Sequence, residues 1–561
     1  MMKSAEEEIR FLLDQVASGA MEAADAVKSL DVSRLAGILH PIINVSSVQG
    51  MPKWTGGITG AAGAATGRAY FSAAALLLAR KLAGQRGEPG RSSPCILVLP
   101  STFAGDVSAI AAAAGVLSAQ GGYAAHASVV ARQYGTVSVV APDMTITGTK
   151  AVLGNLVFSE GDPITLDAPY KGEPSVYRGA AELTEPNIKD SGLFEFLEMA
   201  RTYINDFRIR ANAETPAQAE RALSFGADGI GLCRTEHMFF QPDRINIFRE
   251  LLLSEGAEAR QQALEKLRVL QRDDFSRLFK IMAGKPVTIR LLDAPLHEFM
   301  PRNGDELAGY VNRGPAASPA AVLARIEALK ECNPMLGHRG CRIAVSYPEI
   351  YAMQVLAIFE AVYTLGAAEN LDIYPEIMVP LIMNASEMKL IAYGKKVTGA
   401  EYAGIVDIEE ALRDKLKVRP VPYKIGAMIE LPAAALGAGE IAGYAGFFSF
   451  GANDLTQTTL GLSRDDAAGF LPAYTRRDLL EGNPFKVLDK SVKELITLAL
   501  DRGRLTRPDL AAGVCGEQGA DPATIRFCME AGMDYVSCSP YAIPAAILAA
   551  AQAALDRGSV L

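Results

Sequence analysis

The sequence predicts an α/β protein: a C-terminal (β/α)8 barrel, the TIM barrel, preceded by a smaller α/β domain. Three observations predict it. From Arg208 onward eight short apolar runs recur, separated by stretches long enough for helices, and that alternation closes a parallel barrel. Polar and charged side chains gather at the C-terminal ends of these runs, where such barrels carry their chemistry. The 561 residues exceed one ordinary core, and a content of 49% hydrophobic and 21% charged residues is that of a globular protein.

Each element follows from local pattern. From Ser4 to His40 apolar positions recur at helical spacing, and His40-Pro41 closes this helical segment, 1–41, because proline disfavours helix in the residue before it. From Ile42 to Gly67 a richness in Gly, Ser and Thr predicts an irregular loop. Strands are expected at RAYF (68–71), ILVLP (96–100) and TVSVVAP (136–142). Helices are expected from Asp106 and, after a Gly121-Gly122 turn, from His126 to Arg132. These elements make up the smaller domain, 42–170. Residues 171–206 are mixed, polar and partly helical, a connector between two bodies. The barrel, 207–561, takes its strands from RIRANA (208–213), GIGLCR (229–234), VTIRLLD (287–293) and EIMVPLI (376–382). The other four are IGAMIE (425–430), FFSFGAND (447–454), AGVCGE (512–517) and DYVSCS (534–539). One long excursion, Leu296 to about Pro375, holds the cluster GHRGCR (337–342) and is expected to fold back over the barrel mouth.

The bulk numbers narrow the function. A net charge of −9 argues against nucleic-acid or anionic-membrane partners. The N-terminus lacks the basic-then-apolar order of a signal peptide, and the alanine-rich run from Ala542 is too short to span a bilayer. Seven cysteines without a CxxC pair fit a reducing compartment. A soluble cytoplasmic protein is expected.

At the mouth, Arg234, Asp293, Glu430, Asn453, Asp454 and Cys515 fall at or next to strand C-termini, while Arg290 lies within its strand. Glu430 and Asp454 are hard oxygen ligands suited to Mg²⁺ or Mn²⁺. Arg234, Arg290, Arg339 and Arg342 are planar forks suited to phosphoryl and carboxylate groups. The set describes a site for a small, multiply anionic ligand with a divalent metal; the alternative is that the two carboxylates simply pair with two of the arginines. Cys515, between Gly513 and Gly516, is either a small buried hydrophobe or a proton donor to carbon. His126 opens an apparent helix, whose terminal N–H groups favour a phosphate there; a cap or packing role is as compatible with the spacing. His237 and His338 are further candidates for the mouth.

The runs GIGLCRTEHMFF (229–240), VTIRLLDAPLHEFMP (287–301), NPMLGHRGCRIAVSYPEIYAMQ (333–354), FFSFGANDLTQ (447–457) and GVCGEQG (513–519) closely resemble the pyruvate, phosphate dikinase family. Less closely, the chain is similar to phosphoenolpyruvate synthase and to enzyme I of the sugar phosphotransferase system. GGYAAHASVVAR (121–132) resembles the family's phosphohistidine segment. The resemblance implies that His126 accepts phosphate on a swivelling domain that visits two distant sites. It implies that Arg234 and Arg290 bind phosphoenolpyruvate and that Glu430 and Asp454 hold Mg²⁺. Gly451, Ala452 and Asn453 would contact the substrate, Arg339 would join them, and Cys515 would protonate the enolate. A homodimer is also implied.

Three departures accompany it. Only the short helical segment precedes His40-Pro41, where the family carries a large ATP-grasp domain, so a separate ATP-grasp protein is expected as partner. Ala124-Ala125 stand where the family usually has Thr-Ser before the histidine, and Ala452 stands where it usually has threonine. The leading expectation is therefore a phosphotransferase, the C-terminal half of a split dikinase. The alternative is a non-catalytic regulatory protein that binds phosphoenolpyruvate or pyruvate.

Overall fold

All eight apolar runs become the strands of a closed, parallel barrel: β1 (Arg208–Asn212), β2 (Ile230–Arg234), β3 (Pro286–Arg290), β4 (Tyr374–Val379), β5 (Lys424–Ile429), β6 (Phe447–Gly451), β7 (Ala511–Cys515) and β8 (Tyr535–Cys538). The computed structural model describes residues 5–85, 94–102, 104–123, 125–241, 244–253, 256–301, 304–311, 319–331, 333–369, 371–397, 400–464, 466–480 and 482–558. The strands read as nearly continuous apolar runs because one face fills the barrel and the other meets the surrounding helices. Register has chemical consequences. Arg234 lies level with Arg290, and Gly451 with Cys515, so strand ends on neighbouring elements reach the mouth at one height. Arg290 is the last residue of β3, not an interior one, because the strand stops short of Asp293.

Short connections hold that rim in place. After β1, Thr215 and Gln218 form a capping box that starts the helix Pro216–Ser224, and Asn384 with Glu387 does the same after β4 for Ala385–Tyr393. The excursion after β3 contributes the helices Cys341–Ser346 and Pro348–Glu369. It brings Arg339 back over the mouth onto Asp293 and Asp454, as its length and polarity suggest.

The smaller domain is a sheet of eight strands, parallel in its centre (Gly63–Tyr70, Cys95–Leu99, Gly115–Ser118, Val137–Val140) and antiparallel at its edges. Alternation along 95–99 sends Ile96 and Val98 to one face and Leu97 and Leu99 to the other. The second face packs on the helices Ala73–Gln85, Val107–Ala112 and His126–Tyr134. Two expectations are corrected here. The stretch 42–67 is not an irregular loop: it holds strands at Ile42–Ile43, Lys53–Thr55 and Ile58–Ala61 and begins the next. Its small residues serve close packing, since a Cβ on Gly60 would lie 2.4 Å from Ser128 Oγ and 2.6 Å from Ser138 Oγ. Residues 175–178, read from sequence as part of a mixed, partly helical connector, form instead a strand, Ser175–Arg178, that pairs with Pro163–Ala168 and Lys53–Thr55, so the sheet continues past residue 170.

The helical segment ahead of Ile42 belongs with the barrel. Ile9, Leu12, Val27, Leu30 and Leu35 share a core with Leu193 and Phe196 of the helix Leu193–Arg201 and with the last barrel helix, Ile543–Gly558. Gln552 Nε2 donates to the carbonyls of Val27 (2.9 Å) and Leu30 (2.8 Å), sealing that contact. The chain leaves for the smaller domain through Ile42–Ile43 and returns through Leu183–Thr184, and these two passages pair side by side as an antiparallel ribbon. Among the described residues no helix is long and apolar enough to cross a membrane.

Candidate active site

The C-terminal end of the barrel encloses a cavity of about 130 Å³. Its wall takes Leu232 and Arg234 from β2, Arg290 from β3, Gly451 from β6 and Cys515 from β7, with Asp293, Glu430, Asn453 and Asp454 just beyond strand ends. Arg339 closes it from the excursion, and Val129, on the helix that His126 opens, closes it from the smaller domain.

One side is cationic. Arg290 is paired with Glu236 and, at 2.8 Å, with Asp293; burial would weaken its charge, but these carboxylates and Glu430 raise its pKa and keep it ionised. Arg234 Nη1 lies 3.7 Å from Glu214 and makes no hydrogen bond among the described residues, so a buried donor remains for an incoming anion.

The other side is anionic. Carboxylate oxygens of Asp293, Glu430 and Asp454 lie within 4.8 Å of one another, all buried. Burial, and then the charges of Asp293 and Asp454, push the Glu430 carboxyl well above its ordinary range. For Asp454 burial acts in the same direction, but Arg339, Arg464 and Arg290 outweigh it and hold the group ionised. Among the described residues Asp454 Oδ1 is buried without a hydrogen-bond partner, and Glu430 Oε1 accepts from the Leu381 N–H at 2.7 Å. Three converging carboxylates, one of which keeps an unpartnered oxygen among the described residues, fit Mg²⁺ or Mn²⁺. Gly451 is needed for this packing, since a Cβ there would stand 2.5 Å from Glu430 Oε2.

Between the two sides sits Cys515. Ser449 Oγ donates to its sulfur at 3.3 Å, and the thiol in turn points at the Phe450 carbonyl at 3.6 Å. Burial pushes its pKa up to about 11, so the group is a thiol at neutral pH and has a proton to give. Across the rim, Gln133 of the helix His126–Tyr134 donates to Glu214 Oε1 at 3.0 Å, tying that helix to the barrel. Glu214 is pushed up to about 7 by burial, while His237, 3.7 Å away, is pushed down to about 3 by burial and by Arg234 and Arg290. His237 is thus neutral at pH 7.

Sequence comparison bears on the same two bodies. Residues 192–555 match the family model of the PEP-binding domain of PEP-utilising enzymes, PEP being phosphoenolpyruvate, and residues 91–170 match that of the mobile domain. The chain belongs to the PEP-utilising enzyme family. It is 55% identical to a pyruvate, phosphate dikinase of Treponema pallidum (strain Nichols) over 98% of this chain and 61% of that protein. It is 43% identical to the Rhizobium meliloti (strain 1021) dikinase over 100% of this chain and 60% of that protein, and 40% identical to that of Clostridium symbiosum over 99% and 61%. The chain therefore spans about three fifths of the length of these curated relatives.

Within this chain, Arg234, Arg290, Arg339, Glu430, Gly451, Asn453, Asp454 and Cys515 gather at one cavity, and His237 lines it too. Ala452 does not, because its methyl is buried in the barrel core. Arg342 is turned to the carbonyls of Leu336 and Gly337, and His338 to Ser346 and the Tyr347 ring, so neither lines the mouth. Ala124 and the side chain of His126 lie outside the described residues; the backbone of His126 begins a helix whose N-cap, Ala125, provides no side-chain bond. Sequence reasoning missed Asp293 as a third metal-type ligand, although it noted the residue at a strand end. It also missed Glu236 and Glu214. Both stand just past strand ends on the rim, and that placement was the available signal.

Proposed function

We propose that this PEP-utilising enzyme transfers a phosphoryl group between phosphoenolpyruvate and His126, interconverting phosphoenolpyruvate and pyruvate. The observation that carries this reading is the shared wall: arginines, three carboxylates and a protonated thiol surround one cavity, and the helix opened by His126 closes it. Positions 126, 129 and 133 fall on one helical face (i, i+3, i+7); Val129 lines the cavity and Gln133 bonds to the rim. Position 126 therefore lies on the face turned to the mouth.

Arg234 and Arg290 bind the phosphoryl and carboxylate groups, which are the two anionic ends of the substrate. Asp293, Glu430 and Asp454 hold Mg²⁺, which when bound neutralises charge on substrate oxygens. As the phosphorus–oxygen bond breaks, a phosphorus–nitrogen bond forms at His126 and the electron pair remains on the enolate. Cys515 then delivers its proton to the methylene carbon, completing pyruvate; the reverse direction returns that proton to sulfur. In this reading a separate ATP-grasp protein exchanges the phosphohistidine's phosphate with ATP and inorganic phosphate, so the whole dikinase reaction needs both proteins mixed.

The test is incubation with Mg²⁺ and phosphate-labelled phosphoenolpyruvate beside His126→Ala and Cys515→Ala. Acid-labile, base-stable label on the wild type and none on His126→Ala is the expected result. The pair Ala124-Ala125, with no hydroxyl beside the histidine, favours a second reading, a phosphoenolpyruvate or pyruvate sensor. Metal-dependent binding without label on the protein would establish that one and overturn the first.

A further inference from the structure

A second cavity, of about 520 Å³, opens where the N-terminal helices, the smaller domain and the barrel meet. Its volume falls within the range of about 300–1,000 Å³ typical of small-molecule sites, and domain interfaces are where such sites concentrate. It touches the site described above only through Gly516, which walls both.

Its chemistry is uneven in a way that selects a ligand. Lys486 Nζ stands 5.8 Å from the Tyr123 ring centre and 5.6 Å from that of Tyr170, and makes no ion pair among the described residues. Arg132 lies over the same Tyr123 ring at 4.2 Å, adding a second positive charge. The acid on this wall, Asp521, is engaged as the N-cap of the helix Pro522–Glu530, where it accepts from the Thr524 N–H. Among the described residues Thr59 Oγ1 is buried here without a hydrogen-bond partner. The floor is apolar, formed by Leu35, Leu39 and Ala542, and one end is aromatic, where the His40 and Tyr541 rings lie 5.2 Å apart at a tilt of 31°. Burial pushes the His40 pKa down to about 4, so this end carries no charge at neutral pH.

We propose that this cavity binds a small organic anion with a flat apolar body, and that the bound molecule holds the smaller domain against the barrel. The anionic group meets Lys486 and the Thr59 hydroxyl, and the flat body lies among tyrosine rings over the leucine floor. The second half of the proposal follows from where the walls come from. Tyr123, Arg132 and Thr59 belong to the smaller domain and Lys486, Tyr541 and Ala542 to the barrel, so the complete site exists only in the docked arrangement. A ligand that binds one arrangement better shifts the equilibrium toward it by that difference in affinity. Such a ligand keeps the helix His126–Tyr134 at the barrel mouth and withholds it from any other site it serves. Nothing in this depends on phosphoryl transfer taking place.

Anilinonaphthalene sulfonate, a flat apolar anion whose fluorescence rises on burial, is the probe. The full chain should bind it saturably and one-to-one, and Lys486→Glu or Ala542→Phe should each weaken binding by about tenfold or more. Naphthyl phosphate should displace it, and uncharged naphthol at equal concentration should not. In hydrogen exchange, the probe should increase protection of residues 126–134. Absence of saturable binding, or binding indifferent to Lys486→Glu and to the charge of the competitor, overturns the site. Binding without added protection of 126–134 overturns the claim that it fixes the domains.

Discussion

Two buried residues, Cys515 and Glu214, are both pushed upward by burial but answer pH in different ways. The Cys515 thiol, pushed up to about 11, stays protonated through neutral pH. Replacing it with alanine should leave phosphoenolpyruvate binding intact and slow exchange of the pyruvate methyl protons with solvent by about 10²-fold or more, followed by NMR in heavy water. Exchange that survives in Cys515→Ala would remove the thiol from the chemistry. Glu214, raised from 4.5 to about 7, acts on stability instead. Its folded pKa lies above the unfolded one, so its contribution is present below pH 4.5 and is lost as pH rises through 7. The loss amounts to about 3 kcal/mol at about 1.36 kcal/mol per pKa unit. The wild type's melting temperature should fall between pH 5 and pH 8, and Glu214→Gln should flatten that fall; an unchanged slope in the variant refutes the assignment. Residue types at strand ends made Cys515, Glu430 and Asp454 legible in the sequence. Asp293 was legible at a strand end but not as a metal-type ligand, and Glu214 was not legible at all, because a single carboxylate does not announce which charges will face it across the rim.

At the scale of elements, the helix His126–Tyr134 matters most, since it bears the histidine on one body and walls a cavity on the other. Its bond from Gln133 to Glu214 is a polar contact that ties it to the barrel. Gln133→Ala should lower hydrogen-exchange protection of 126–134 and slow single-turnover phosphorylation by about tenfold while the affinity for phosphoenolpyruvate holds, since alignment counts only during transfer. Glu214→Ala should produce the same defect, the double variant should be no worse than either, and Glu214→Gln, which keeps the acceptor, should restore docking. Additive losses would show that the two residues act separately. The barrel strands could be read from sequence because burial on both faces leaves nearly continuous apolar runs, Arg208–Asn212 being the most interrupted by polar residues. The strands at Ile42–Ile43 and Lys53–Thr55 could not, because two or three residues are too few for alternation to show, nor could Ile58–Ala61, where Gly60 answers to close packing against helix and sheet and small residues look the same in a loop.

For the whole molecule, the order of the chain and the order of the bodies differ. The N-terminal helices pack on the barrel, the smaller domain follows, and the barrel itself comes last, so the smaller domain is inserted between two parts of one core. Its two connections run together as the paired strands Ile42–Ile43 and Leu183–Thr184, which lets it be a separate cooperative unit despite lying mid-sequence. Sequence pattern marked the stretch ahead of Ile42 as helical but gave no sign of which body it covers, since an apolar stripe shows that a face is buried and not against what. Leucine deletions in the two cores decide the matter. Leu30, 1% exposed, belongs to the barrel core, and Leu166, fully buried, to the core of the smaller domain. Each change to alanine should cost about 2–5 kcal/mol. In calorimetry of the full chain, Leu30→Ala should lower the barrel transition and leave the other in place, whereas Leu166→Ala should lower only the smaller domain's. On the proposed function, the barrel transition should be the one raised by Mg²⁺ with phosphoenolpyruvate, since ligand bound at its mouth would stabilise that body. A shift of the ligand-insensitive transition by Leu30→Ala would mean that the N-terminal helices fold with the smaller domain, and that an inserted smaller domain is the wrong division of the chain.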